Sequence, residues 1–402
     1  MTTPRLWSAA AAILLLVAAL TTVAISARRR AVHDVHAVAP QMFAQKNQGI
    51  ALQRAAFRQP DLLPMYGSSD LNVRNPYHAS ALFRTYPTGF TVFPVGNVGS
   101  TSLVWLQALA AVDSDLRGKK VALSLSPRSF MSQMVDNHAY AANFSRLHAS
   151  QLAFNARLSF AVKQGAARRM LQYPATLAND PLLRFALERL ADGSLSSRVL
   201  YWASLPLGKL HNLVLRLQDD WDTLVFLYAQ LGLGPVPRQG AALDWTTLLS
   251  RAEEQTRRQA DGNPFGFDNA FWASHAPEIA MQKGGYPAET SQRDLQQSAE
   301  WTDLDLLLRA VRDLGGEPLI LSIPMNGPYY DYLGVPASTR RVYYDRLQEL
   351  ARTHASLVTD FADHDADKYF TIDSAPHLSG KGWVYYDRAL DAFFHGQKPD
   401  DA

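Results

Sequence analysis

The chain has 402 residues, 47% hydrophobic and 19% charged, enough to bury one large core or two modest ones and too apolar for a disordered chain. A formal net charge of +2, with Arg and Lys scattered, excludes a dedicated nucleic-acid binder. The absence of cysteine excludes disulfides, thiolate catalysis, Cys-ligated zinc and a lipidated cysteine anchor.

"SAAAAILLLVAALTTVAIS", residues 8–26, carries no charge. At about 1.5 Å per residue it reaches roughly 28 Å, nearly the hydrocarbon thickness of a bilayer. It is predicted to be one membrane-spanning helix, which makes residues 1–30 an anchor and 31–402 the folded part. The alternative is a cleaved signal peptide, because "AIS" before Ala27 has small residues at a cleavage spacing. Arg5 precedes the span while Arg28, Arg29 and Arg30 follow it, so the positive-inside rule taken alone would leave the folded part in the cytoplasm.

"PQMFAQKNQGIALQRAAF" reads as one membrane-proximal helix ended by Pro60. An α/β alternation follows: strands at "DLLPMYG", "GFTVFPVG" and "KKVALSLSP", with an amphipathic helix at "STSLVWLQALAAVDSDL". From about 137 to 297 the pattern turns helical, as in "DPLLRFALERLADG" and "KLHNLVLRLQDDWDTLVFLYAQLGLG", and predicts a large helical insertion. The alternation resumes with "AEWTDLDLLLRAVRDLGG", where Trp301, Leu304, Leu307, Leu308 and Val311 share a helix face and Gly315-Gly316 stops it. The strand "EPLILSIP", a helix at "ASTRRVYYDRLQELARTHA", a short strand "SLVTDF" and a last helix opened by His377 complete a parallel sheet with flanking helices.

In an open parallel sheet, sites form at the carboxyl ends of strands. Those loops are "GSSDLN", "PVGNVGSTS", "SPRSF", "SIPMNGPYYDY" and "TIDSAPHLSGKGW". They hold the inventory of acyl transfer by a serine: a hydroxyl, a base to take its proton, an acid to orient the base, and donors for the oxyanion. Ser69 ends the first strand after Gly67, and Ser68 is the reserve nucleophile. His377 is the candidate base and Asp373, four residues earlier, the candidate acid. Gly99 of "GNVGS" and, less directly, Asn326 of "PMNG" are candidate oxyanion donors. Each has a plain structural alternative: a Ser-type turn for "GSSD", a surface or satisfied core histidine for His377, a turn or N-cap acid for Asp373.

Other chemistries fail on spacing. "DHDADKYFTIDS" begins like a calcium loop with Asp363, Asp365 and Asp367, but Lys368 and Ser374 stand where Gly and Glu are needed. HExxH, a P-loop, a dinucleotide glycine fingerprint and GxSxG are all missing, so neither a metal nor a nucleotide cofactor is implied.

Taken in order, "YGSSDL", "VGNVGSTS", "LSLSPRSFM", "GNPFGFDNAFW", "SIPMNGPYYDYLG" and "TIDSAPHLSGKGWVYYD" resemble the DltD family, the D-alanyl-lipoteichoic acid biosynthesis proteins, whose fold is related to the SGNH hydrolases. The resemblance spans most of the chain beyond the anchor. It implies a single-pass anchor in the cell membrane, a catalytic domain outside the cytoplasm, and a role in attaching D-alanine to an envelope polymer such as teichoic acid, alongside a membrane-bound O-acyltransferase (DltB-like) and an activated acyl donor. It also implies a Ser-His-Asp triad, carried over as Ser69, His377 and Asp373. The SGNH pattern has two residues between Asp and His; here there are three. Two other readings stand beside a serine acyltransferase: an SGNH-type carbohydrate O-acetyl esterase, and a non-catalytic scaffold that binds a membrane transferase through its helical insertion.

Overall fold

The structure, a computed structural model, describes residues 3–229 and 243–398. Its frame is a five-stranded, all-parallel sheet in the order β2-β1-β3-β4-β5, where β1 is Leu62–Gly67, β2 Thr91–Gly96, β3 Lys120–Leu125, β4 Glu317–Ser322 and β5 Leu357–Thr359. Every strand falls inside a stretch read as strand from the sequence. β1, β2 and β3 are almost continuously apolar because helices cover both faces of the sheet.

Side chains alternate between two cores, as a pleated strand requires. Leu62, Tyr66, Phe93, Val121, Leu123 and Ile320 join one core, with the helices Ser102–Val112 and Ala299–Leu314. Leu63, Met65, Val92, Ala122, Leu319 and Leu321 join the other, under the helices Ala79–Thr85 and Gly380–Phe394. In Ala299–Leu314 the expected stripe of Trp301, Leu304, Leu307, Leu308 and Val311 is buried, and Gly315 ends the helix in the left-handed region at φ +78°.

One helix runs Thr3–Val38, and its part Trp7–Val38 is the only stretch among the described residues long and apolar enough to cross a membrane. Leu14, Leu15 and Leu16 stand bare, whereas Ala27, Ala31, Val35 and Val38 are buried against the body. The next segment departs from its expected form. Instead of one helix over 40–57 there are two, Ala44–Gln48 and Ala51–Arg58. The break at Gly49 is stabilised from far away: the Asp219 carboxylate accepts the N–H groups of Ile50 and Ala51, each at 2.9 Å, and so caps the second helix. A Cβ on Gly49 would fall 2.3 Å from Asp219 Oδ1.

Between β3 and β4 the described chain is helical from Asn137 to Gln297. The run read over 209–234 is the end of a 35-residue helix, Leu195–Ala229, and residues 230–234 lie outside the described residues. The helix Phe160–Met170 of this region is tied to Ala299–Leu314 by a buried two-pronged pair, Arg169 to Asp303 at 2.7 and 2.9 Å. Truncating either partner would leave a buried charge alone, a loss of about 3–5 kcal/mol.

Candidate active site

The strand order reverses direction between β2 and β3, which makes the carboxyl end of β1 the switch point of the sheet. There β1 passes directly into a single 3-10 turn, Ser69–Asn72. The ends of β1 and β2 approach so closely that a Cβ on Gly96, at φ +155°, would lie 1.9 Å from Gly67 O. The side chain of Asn47 accepts from Gly96 N at 3.1 Å and donates to Gly96 O at 2.8 Å, so the membrane-proximal segment pins this junction.

His377 comes to Ser69 from the other end of the chain. It does not open the last helix, which begins at Gly380 with Ser379 as N-cap. It lies in a loop closed by an antiparallel bridge, Thr371 to Leu378, and by the Ile372 N–H bonded to His377 O at 2.8 Å. The helix starts later because Ser379, not His377, has a hydroxyl to cap it, accepting from Gly382 N at 3.1 Å.

His377 Nε2 lies 2.8 Å from Ser69 Oγ, and His377 Nδ1 lies 2.7 Å from Asp373 Oδ2. The second Asp373 oxygen accepts the N–H groups of Ala375 at 2.9 Å and His377 at 3.2 Å. This turn absorbs the extra residue between acid and base. With Nδ1 donating to the carboxylate, Nε2 is the nitrogen free to take the Ser69 proton.

Burial pushes the His377 pKa down, but the hydrogen bond and charge of Asp373, helped by Asp70, outweigh it and leave the imidazole above its ordinary value. The Arg128 charge opposes that rise. Asp70, adjacent in sequence to Ser69, is fully buried, accepting from Ser68 N at 2.7 Å and from the Ser124 hydroxyl at 2.5 Å. Burial raises its pKa, countered by those two bonds and by the His377 charge.

Gly99 is near but not aimed as expected. Its N–H points to Ser68 Oγ at 3.2 Å, and Ser68 Oγ in turn reaches Asn97 O at 3.4 Å. The Gly99 loop is held by Asn143, which donates to Val98 O at 2.9 Å and accepts from Ser100 Oγ at 3.0 Å. Asn326 does not offer its amide to Ser69: it donates to Phe265 O at 2.8 Å and Thr371 Oγ1 at 3.2 Å, and accepts from Tyr329 N at 3.1 Å as the cap of Gly327–Leu333. The loop after β3 supplies a group that sequence reasoning passed over. Arg128 is solvent-exposed, donates to Ser374 O at 3.3 Å, and its charge is felt by His377, Tyr329 and Tyr330. Of the three acids in the rejected calcium loop, Asp365 pairs with Arg340 at 2.7 Å and Asp367 with Lys381 at 2.8 Å.

A parallel α/β sheet with a Ser-His-Asp chain across its switch point defines the general class. The chain belongs to the DltD family: the family model described as DltD protein matches residues 39–395. It is similar to Protein DltD of Bacillus subtilis (strain 168), 31% identical over 372 residues, covering 91% of this chain and 90% of that one. Protein DltD of Staphylococcus aureus (strain NCTC 8325 / PS 47) is 24% identical over 353 residues, covering 87% and 85%. Protein DltD of Lacticaseibacillus rhamnosus is 25% identical over 367 residues, covering 90% and 84%.

Proposed function

We propose that the chain is a membrane-anchored serine acyltransferase that takes part in D-alanylation of an envelope polymer of the teichoic acid type, with Ser69, His377 and Asp373 as its triad. The observation that carries this reading is the continuous hydrogen-bonded path from Ser69 Oγ through the imidazole to Asp373. Membership of the DltD family supplies the process.

In this reading Ser69 Oγ attacks the carbonyl carbon of an activated acyl donor while His377 Nε2 takes its proton. The tetrahedral intermediate collapses, His377 returns the proton to the leaving group, and an acyl ester remains on Ser69. A hydroxyl of the polymer then attacks that ester, giving its proton to His377, and Ser69 departs reprotonated. The backbone N–H groups of Ser69 and Gly99 receive the oxyanion once Ser68 Oγ releases the Gly99 amide, the Ser68 N–H being held by Asp70. Arg128, beside the imidazole and open to solvent, holds the phosphate of the acceptor. A cavity of about 220 Å³ beside the site, lined by Asn72, Gly96, Asn97, Ser100 and Trp105, is large enough for a small acyl or polyol unit.

The uncharged stretch 8–26 of the helix Thr3–Val38 holds the protein in the membrane with residues 31 onward outside the cytoplasm, next to a multi-span O-acyltransferase that delivers the acyl group. A chain with no nucleotide motif has no energy source of its own and needs a donor that arrives activated. The test is the D-alanyl ester content of the envelope polymer in cells carrying wild type or Ser69→Ala: loss supports the reading, and unchanged content with normal protein level rejects it.

A further inference from the structure

The helix Leu195–Ala229 buries one face, with Tyr201, Gly208, Leu215 and Leu227, and leaves the other to solvent. That other face carries a continuous apolar stripe, bordered on one side by the exposed Gln218 and Asp222. Val199, Leu207, Leu210, Val214, Trp221 and Tyr228 are each between 48% and 60% exposed. At about 1.5 Å per residue the run from Val199 to Tyr228 is roughly 44 Å long, far beyond the isolated apolar residues of an ordinary surface. Arg198, Lys209 and Arg216, spaced 11 and 7 residues apart, follow one another along a single flank of the stripe.

Two contacts orient this helix relative to the span. The Arg30 guanidinium lies over the Tyr228 ring, 5.6 Å from its centroid. Asp220 pairs with Arg28, two residues past the uncharged stretch, at 3.6 Å. Positions 220 and 228 are thus met within two residues of each other on Thr3–Val38, just past the uncharged stretch, so Leu195–Ala229 crosses that helix near the membrane surface instead of running along the membrane normal. We propose that this apolar face lies on the lipid bilayer, buried among acyl chains at the headgroup boundary, with the basic flank against anionic headgroups. Trp202, Trp221 and Tyr228 are the amphipathic rings such a boundary favours, and a Lys/Arg-edged apolar face is the pattern of an interfacial helix. The contact would fix the height of the catalytic loops above the membrane, since Asp219 of this helix caps Ala51–Arg58 and Asn47 pins Gly96.

The inference rests on residues 8–26 spanning the membrane, and the test separates the two. The chain has no cysteine, so single substitutions Val17→Cys, Val199→Cys, Leu210→Cys and Glu349→Cys can each carry a bimane label. The full-length protein is reconstituted in vesicles of equal parts phosphatidylcholine and phosphatidylglycerol. Quenching by acyl-chain-brominated lipid is compared with quenching by aqueous iodide. Labels at 17, 199 and 210 should be quenched by brominated lipid and shielded several-fold from iodide relative to 349. If 17 responds to lipid while 199 and 210 respond to iodide like 349, the interfacial face is rejected and the anchor stands. If 199 and 210 are shielded from both quenchers, protein covers the face and the lipid assignment is likewise rejected. If 17 itself does not respond to lipid, the anchor reading fails.

Discussion

Ser69 Oγ and His377 Nε2 stand 2.8 Å apart although 308 positions separate them in the chain. The parallel sheet makes this possible, because the end of β1 and the loop before the last helix share one edge. A serine placed this way has its proton acceptor already in reach, and the behaviour of the site should follow the state of that imidazole.

The pH profile should show it. Because Asp373 and Asp70 hold the His377 pKa above its ordinary value, the imidazole is a competent base only above that raised value. The acid limb of kcat/KM should therefore lie above about pH 6.5. Asp373→Asn removes the main raising influence, leaves burial dominant, and should move the limb to lower pH while turnover drops by about 10⁴. Arg128→Ala removes an opposing charge and should move the limb up. Shifts of the same sign in both variants would contradict the assignment.

Arg128 has a second signature. A guanidinium that holds a phosphate acts mainly in binding, so Arg128→Ala should raise KM for the phosphate-bearing polymer and leave KM for an uncharged acceptor alcohol unchanged. Steady-state kinetics with both acceptors separates the two cases, and an equal rise for both would remove the phosphate role.

Asn326 and Gly99 should part company. Asn326→Ala breaks a helix cap and leaves the Phe265 carbonyl short of a donor, so unfolding free energy should fall by about 1–3 kcal/mol, with turnover per folded molecule retained. Gly99→Ala should act on rate. Gly99 sits at φ +76°, and a Cβ there would lie 2.7 Å from Ala139 Cβ, so the loop must move. A displaced oxyanion donor costs roughly 10²–10³ in kcat. The double variant Gly99→Ala, Ala139→Gly should recover part of that loss; no recovery would show that the loop's position is not what matters.

Topology is open to a direct check. Reporter fusions after Pro40 should give extracytoplasmic activity, against the local pull of Arg28, Arg29 and Arg30. Cytoplasmic activity would overturn the location and with it the role in the envelope.

The strands, and the three side chains Ser69, His377 and Asp373 that the fold brings together, were legible because their signals are local: an apolar run ending in "GSSD", an acid and a histidine sharing one short loop. The residues that position them were not. Asn143 holds the Gly99 loop from a helix 45 residues away, and Asp219 splits a helix from a distance of 169 residues. An Asn or Asp on a helix face looks the same whether it meets water or a distant backbone. Arg128 carried no signal of its own, because nothing nearby in sequence tells that Ser374 and His377 adjoin it. Asp70 carried none either, since its burial against Ser124 depends on β1 and β3 being neighbours. Asn326 illustrates the converse, since "PMNG" after a strand looks like a donor loop but its amide holds Phe265 and Thr371.

The claim that Ser69 is the nucleophile is tested most directly by treating the full-length protein with a fluorophosphonate and locating the adduct by peptide mass spectrometry. The adduct should form on Ser69, persist in Ser68→Ala, disappear in Ser69→Ala and form far more slowly in His377→Ala. An adduct at Ser68, or equal labelling of wild type and Ser69→Ala, would contradict the account.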